Sequence, residues 1–107
     1  MADAAEPARP EILDGDARAV YANFGRVAST PEELILDFGL NPNPPGAKEP
    51  APVKVTERVI LNHYTAKRIA LALSMALERH EKAFGTLELD ANKRVVPQSG
   101  GAGDTPK

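Results

Sequence analysis

The sequence predicts an α+β protein in which a three-stranded antiparallel meander packs against one long C-terminal α-helix to give two layers. Apolar residues occupy every second position in residues 33–40 and, apart from Glu57, in residues 53–61, a pattern typical of strands. Residues 63–84 instead repeat apolar side chains every three or four positions, which predicts an amphipathic helix. A proline-rich stretch, residues 41–52, separates the second strand from the third.

The first two strands are predicted at residues 20–28 and 33–40. Between them lies Ser29–Glu33, where hydroxyl side chains and Pro31 favour a turn. In the second strand one face carries the apolar residues Leu34, Leu36, Phe38 and Leu40. The opposite face carries Ile35, Asp37 and Gly39.

The third strand is predicted at residues 53–61, after a loop whose five prolines exclude helix and central strand. Continuous alternation would place Val53, Val55, Glu57, Val59 and Leu61 on one face. Ile60 would then lie on the other face.

The helix is predicted from His63 to about Phe84. Asn62 is suited to cap its N-terminus, because an asparagine side chain can accept a hydrogen bond from the first turn. Gly85 is suited to end it, since glycine accepts the left-handed conformation.

We expect one domain, residues 17–89, between a disordered acidic N-terminal arm (1–16) and a disordered C-terminal tail (90–107). The arm combines alanine, proline and acidic residues, and the end of the tail is rich in glycine. We interpret the arm as a solubilising segment, with weak self-association of the arm beside the mildly basic helix as the alternative.

Composition excludes several classes of protein. The chain has 107 residues, no cysteine and a net charge of −2, so it has no disulfide, thiolate or cysteine-metal chemistry and no strongly basic character. Its acidic start is unlike a secretory signal, and no apolar run approaches the ~20 residues that span a bilayer. We therefore expect a cytoplasmic protein.

No catalytic, cofactor-binding or metal-binding constellation is predicted, and we expect the protein not to be an enzyme. His63 and His80 would lie roughly 25 Å apart along the helix, too far to share a metal ion. The strand alternation places Asp37 on the face opposite the leucines, so it does not form a carboxylate pair with Glu57. No serine lies on a glycine-flanked nucleophile turn, and no glycine cluster precedes a helix.

Both faces of the predicted sheet, and both sides of the helix, carry large apolar residues. Leaving each of them exposed forgoes roughly 1.5–3 kcal/mol of burial. We therefore expect a homo-oligomer, most simply a two-fold dimer. The candidate interface residues are Tyr21, Val27, Ile35, Ile60, Leu71 and Met75. Isolated surface hydrophobic residues on a monomer are the competing interpretation.

Weak nucleic-acid binding is the alternative function. Its candidate residues are the cations Arg26, Arg58, Lys67, Arg68, Arg79 and Lys82. Most of the few aromatic side chains have predicted core positions, so the interleaving of cations with exposed aromatic residues that marks such proteins is missing. We therefore rank nucleic acid below protein as a partner, and we expect no binding to a membrane.

Several segments resemble a bacterial family known as domain of unknown function 3467. They are Tyr21-Ala-Asn-Phe-Gly-Arg-Val, Ser29-Thr-Pro-Glu-Glu-Leu-Ile-Leu-Asp-Phe-Gly39, Arg58-Val-Ile-Leu-Asn, Ala66-Lys-Arg and Glu81-Lys-Ala-Phe-Gly85. The resemblance covers residues 20–88 and implies three strands followed by a helix. It differs at Asn62-His63, where the family often has Ser-Pro, and it implies no activity and no catalytic residue.

These observations together predict a small, non-enzymatic, self-associating module for protein interaction or assembly. The apolar second face of the sheet and the helix would form the contact, with the loop at residues 41–52 as an adaptable edge. Layered oligomers of this kind can hold unfolded segments, as export chaperones do, although this extension rests on architecture alone.

Overall fold

The computed structural model describes residues 7–96 and confirms the α+β class. Strands β1 (Phe24–Ser29), β2 (Leu34–Leu40) and β3 (Lys54–Leu61) precede the long helix α1 (His63–Phe84) and a one-turn helix α2 (Ala91–Arg94). The sheet is an antiparallel meander in the order β1-β2-β3. Helix α2 lies inside the predicted C-terminal tail. Residues 1–6 and 97–107, on which parts of the two disorder predictions fall, lie outside the described residues.

Strand β1 begins at Phe24, so the predicted start at residue 20 was wrong. Asn23 explains the difference. Its backbone N–H still donates to the Gly39 carbonyl over 3.1 Å, but beyond this point its side chain replaces the backbone ladder. The amide group donates to the Asn41 carbonyl (3.0 Å) and accepts from the Asn41 N–H (2.7 Å).

The proline-rich loop is closed by asparagine side chains. Asn43 donates to the carbonyl of Ala51 over 2.8 Å and accepts from its N–H over 2.7 Å. The Asn41 side chain in turn accepts from the backbone N–H of Asn43 over 2.9 Å. Prolines cannot donate ladder hydrogen bonds, so side-chain amides supply the pairing that the backbone lacks here.

A β-bulge in β3 changes the face on which Val55 lies. Phe38 pairs with Glu57, but the next residue, Gly39, pairs with Val55, which leaves Thr56 as the extra residue. Val55 therefore shares a face with Gly39, and the prediction that it lies with Val59 and Leu61 was wrong. Continuous alternation fails here because one inserted residue reverses the faces of everything before it.

Gly39 is required by this bulge. A Cβ at position 39 would collide with the backbone carbonyl of Lys54 and the backbone of Val55. The close approach of the two strands thus explains why a residue without a side chain stands in an otherwise apolar strand.

The ends of α1 match the predicted capping residues. The Asn62 side chain accepts a hydrogen bond from the Thr65 N–H over 2.7 Å. At the other end Gly85 has φ 96°, and its N–H donates to the Glu81 carbonyl over 2.8 Å. Because only Asn62 separates β3 from α1, the helix begins directly at the end of the sheet where β3 finishes.

We predict that Gly39→Ala lowers the free energy of unfolding by about 1–3 kcal/mol, because the backbone at the bulge must shift to admit the methyl group. Urea denaturation monitored by circular dichroism measures this change. Gly25→Ala is the matched control, since a Cβ there meets nothing closer than 3.7 Å. Equal stability of the two variants would contradict the role of Gly39 in the bulge.

Candidate interaction surfaces

An open apolar groove lies between the sheet and the first half of α1. Its volume is about 250 Å³. Strand pairing brings the sheet side chains together, since Val27 pairs with Leu36 and Leu34 pairs with Leu61. The residues that line the groove are Val27, Leu34, Leu36, Leu61, Ala66, Ile69, Ala70 and Leu73.

The groove stays open because one helix covers only part of the sheet. α1 meets the sheet at the end where β2 begins and β3 finishes, and Ala66 and Ala70 are too short to fill the space beneath it. Among the described residues no apolar side chain is buried, and α1 has no buried residue at all. The helix and the sheet therefore form two layers without a closed core between them.

The opposite face of the sheet, which we call the second sheet face, carries a row of charges. Arg26, Asp37 and Arg58 are paired across the three strands. Asp37 accepts from Arg58 through both oxygens, Nε to Oδ1 over 2.6 Å and a terminal nitrogen to Oδ2 over 3.1 Å. Arg26 donates its Nε–H to Oδ2 over 2.8 Å. This arrangement leaves Asp37 only 4% exposed.

The two guanidinium groups hold the pKa of Asp37 at about 2. The hydrogen bond from Arg58 has the largest effect and that from Arg26 the next, and together they outweigh the desolvation that opposes ionisation. The same contact raises the pKa of Arg58 above its ordinary value. Asp37 is thus ionised in the folded protein at neutral pH.

Beside the charge row runs an apolar row on the same face. Ala28, Ile35 and Ile60 are paired across the strands one step further along. Ile60 is exposed and Ile35 is half-buried. Because α1 lies on the other side of the sheet, no element among the described residues covers this row.

The six residues predicted as an oligomer interface lie on separate surfaces. Ile35 and Ile60 lie on the second sheet face. Val27, which the sequence could assign to either face, lies in the groove because it pairs with Leu36. Leu71 and Met75 are exposed on α1, and Tyr21 is exposed before β1. The structure thus brings together Ile35 with Ile60 and Leu71 with Met75, but not all six.

The residues considered for other functions are placed as follows. Arg26 and Arg58, two of the six cations suggested for nucleic acid, are engaged by Asp37. The His80 ring lies 4.9 Å from the ring of Phe84. Within residues 7–96 no group of three His, Asp or Glu side chains is arranged to hold a metal ion. No helix in that part of the chain is long and apolar enough to cross a membrane.

Two features of the surface were not predicted from the sequence. One is the charge row, although its signal was present, because Arg26, Asp37 and Arg58 all stand at strand positions that alternate with apolar residues. The other is the asparagine closure of the loop, for which the signal was Asn41 and Asn43 beside prolines, with Asn23 before the first strand. The charge row depends on strand register, because its hydrogen bonds join residues 11 and 21 positions apart in the chain. The closure joins Asn23 with Asn41 across 18 positions and Asn43 with Ala51 across 8.

These features define a small α+β protein, a three-stranded meander followed by a helix, with apolar surfaces left open. The chain belongs to a family of proteins of unknown function (DUF3467), whose family model matches residues 1–89. This match includes the acidic arm, which the resemblance described above does not. No curated protein and no solved structure is significantly similar to the chain.

We predict that Asp37→Asn destabilises the protein at neutral pH and that this effect disappears in acid. The pKa of Asp37 is about 2 when folded against an ordinary value of 3.8, so the ionised carboxylate stabilises the fold above about pH 4. This contribution is lost as the pH falls through about 2. Urea denaturation of both proteins from neutral pH downwards measures the difference.

Glu57→Gln is the control for this prediction. Its carboxylate lies on the neighbouring strand and is 4.0 Å from the largely exposed Arg18. We expect its stability to follow the wild type at all pH values. A difference between Asp37→Asn and wild type that does not shrink in acid would contradict the electrostatic role of the charge row.

Proposed function

We propose that the protein is a non-enzymatic module that self-associates and holds apolar segments of other polypeptides in the groove between its sheet and helix. One observation carries the proposal, namely the absence of any buried apolar side chain in residues 7–96. The sequence supplies ample apolar residues, at 42% of the chain, yet the single copy leaves them on its surfaces.

Free-energy considerations support this proposal. Burial of apolar side chains is the main term that offsets the loss of chain entropy on folding, and the net stability of a domain is only about 5–15 kcal/mol. A single copy with no closed core lacks much of this stabilisation from apolar burial. Contact with another chain would supply it, at roughly 1.5–3 kcal/mol for each large side chain that becomes buried.

The groove is better suited to a polypeptide than to a metabolite. Small-molecule sites combine apolar walls with a few polar groups that fix the orientation of the ligand. Every side chain that lines this groove is aliphatic. An apolar cavity of about 150 Å³ can hold benzene, so the space here is of the size needed for one or two aliphatic side chains. Such a lining discriminates little between sequences, so apolar segments of varied sequence would bind.

Nucleic-acid binding ranks below this function. Of its six candidate cations, Arg26 and Arg58 bind Asp37 and Lys82 lies 3.8 Å from Glu78. Lys67, Arg68 and Arg79 remain, and they are on a helix whose other exposed residues are largely apolar.

We predict that the protein is an oligomer, with a mass of at least twice the 11.4 kDa of one chain. We also predict that it binds a permanently unfolded, alkylated polypeptide. Leu73→Asp places a charge in the groove and should weaken this binding by about tenfold to a hundredfold, the equivalent of losing one buried leucine. Light scattering over a range of concentrations measures the mass. Fluorescence anisotropy of the labelled polypeptide measures the binding.

Leu89→Asp is the matched control, because Leu89 is equally apolar, is highly exposed and lies outside the groove. We expect it to bind like the wild type. The proposal would be contradicted if the protein is folded, keeps a mass of 11.4 kDa at all concentrations and does not bind the polypeptide. A salt-dependent response to single-stranded RNA instead would favour the nucleic-acid alternative.

A further inference from the structure

The side of α1 that faces away from the groove carries a second pattern, which we call the outer stripe. Its residues follow one another at alternating steps of four and three positions, the spacing of a helix–helix seam. At 100° per residue they lie opposite the residues that line the groove. The outer stripe consists of Tyr64, Arg68, Leu71, Met75, Glu78 and Lys82.

The apolar members of the outer stripe have no cover within the described chain. Tyr64 is 78% exposed, and Leu71 and Met75 are each 58% exposed. A helix that carries large apolar residues on opposite sides is normally buried on both. The sheet faces only one side of α1.

We propose that the outer stripe binds the outer stripe of a second copy, with the two α1 helices antiparallel and related by a two-fold axis at the level of Leu73. This inference rests on the self-association in the proposed function and names its surface and geometry. The resulting dimer leaves both grooves open on its outer sides, where they remain accessible to other polypeptides.

The order of residues along the outer stripe is self-complementary in this arrangement. Two-fold symmetry about position 73 brings Leu71 against the partner's Met75, and Met75 against the partner's Leu71. It also brings Arg68 against the partner's Glu78, twice in the dimer. At the ends Tyr64 meets the partner's Lys82, a cation–π pair.

Two other arrangements of the same helices place like charges together. A parallel pair would set Arg68 against the partner's Arg68 and Glu78 against the partner's Glu78. An antiparallel pair centred on Met75 would set Arg68 against the partner's Lys82. Like charges in contact are destabilising, so of these three arrangements the charge pattern favours the antiparallel pair centred at Leu73, which alone brings Arg68 against the partner's Glu78.

Residues beside the outer stripe agree with this arrangement. Lys67 and Glu81 lie on one flank of it, and antiparallel pairing brings Lys67 close to the partner's Glu81. Near the centre the flanks are Ala72 and Ser74, which are small enough for the two helices to approach closely. Within the described chain Arg68 makes no ion pair, and Glu78 has only Lys82, at 3.8 Å and exposed.

Charge reversal tests the proposal. Arg68→Glu and Glu78→Arg each create two repulsive contacts in the dimer, and we expect each to raise its dissociation constant about tenfold or more. The double variant exchanges the two charges and should return the dissociation constant to within about threefold of wild type. Analytical ultracentrifugation measures dissociation, and circular dichroism confirms that each variant is folded. Lys93→Glu, a charge reversal in α2, is the control.

The absence of cysteine allows a second test that does not depend on charge. Leu71→Cys and Met75→Cys chains are prepared separately and mixed under mild oxidation. We expect the mixture to form a disulfide-linked dimer far faster than either chain alone, because only the mixed pair places two cysteines opposite each other.

The outcomes separate this inference from the proposed function. If wild type self-associates, but both single reversals leave its mass unchanged and the cysteine mixture does not cross-link, the outer stripe is not the interface while self-association stands. If the single reversals dissociate the dimer and the double variant fails to restore it, the antiparallel register is wrong. A wild type that is monomeric at every concentration overturns this inference and the self-association in the proposed function, whereas polypeptide binding in the groove is tested separately.

Discussion

The rest of the structure depends on the ion pairs that Asp37 forms with two arginines. Asp37 accepts hydrogen bonds from Arg26 and Arg58, so one nearly buried carboxylate joins all three strands. A slip of one residue in either pairing would move one of the arginines to the other face and leave the carboxylate with an unpaired lone pair. An unpaired charge in a buried position costs a large amount of free energy. The charge row therefore does more to fix the strand register than to raise the net stability.

The register has direct consequences for the apolar residues. With Asp37 opposite Arg26, Val27 must face the same way as Leu36 and Leu34, and these form the floor of the groove. The pairing of Asp37 with Arg58 places Ile35 opposite Ile60 on the second sheet face. An electrostatic contact on one side of the sheet thus decides which hydrophobic residues are available on the other.

Local signals were sufficient to predict the three strands and α1, but not the one-turn helix α2. The bounds of α1 followed from its periodicity and from Asn62 and Gly85, whose capping interactions involve residues only three or four positions away. The start of β1 and the face of Val55 did not follow, because each depends on the residue that lies opposite in the sheet. Asn23 and Asn41 replace ladder bonds across 18 positions, and the bulge at Thr56 is defined only against Gly39.

For the candidate surfaces too, local patterns predicted some features, while features that depend on strand pairing could not be predicted. An excess of exposed apolar residues could be predicted from composition and periodicity, as could the placement of Leu71 and Met75 off the main stripe of the helix. That Val27 lies in the groove while Ile35 does not could not be predicted, because the sequence allows both registers for β1. The openness of the groove depends on how far one helix reaches across a sheet, which no pattern in the chain encodes.

A helix with two apolar sides allows assembly and binding to be separate. In the proposed dimer the outer stripe is occupied by the second copy, so the α1 residues that line the groove take no part in holding the dimer together. Each dimer then presents two grooves whose spacing is set by the paired helices. A flexible segment that reaches both would bind more tightly than its affinity for one groove implies, because the second contact is intramolecular. In this way two grooves, each with weak and unselective binding, would together retain polypeptides of varied sequence.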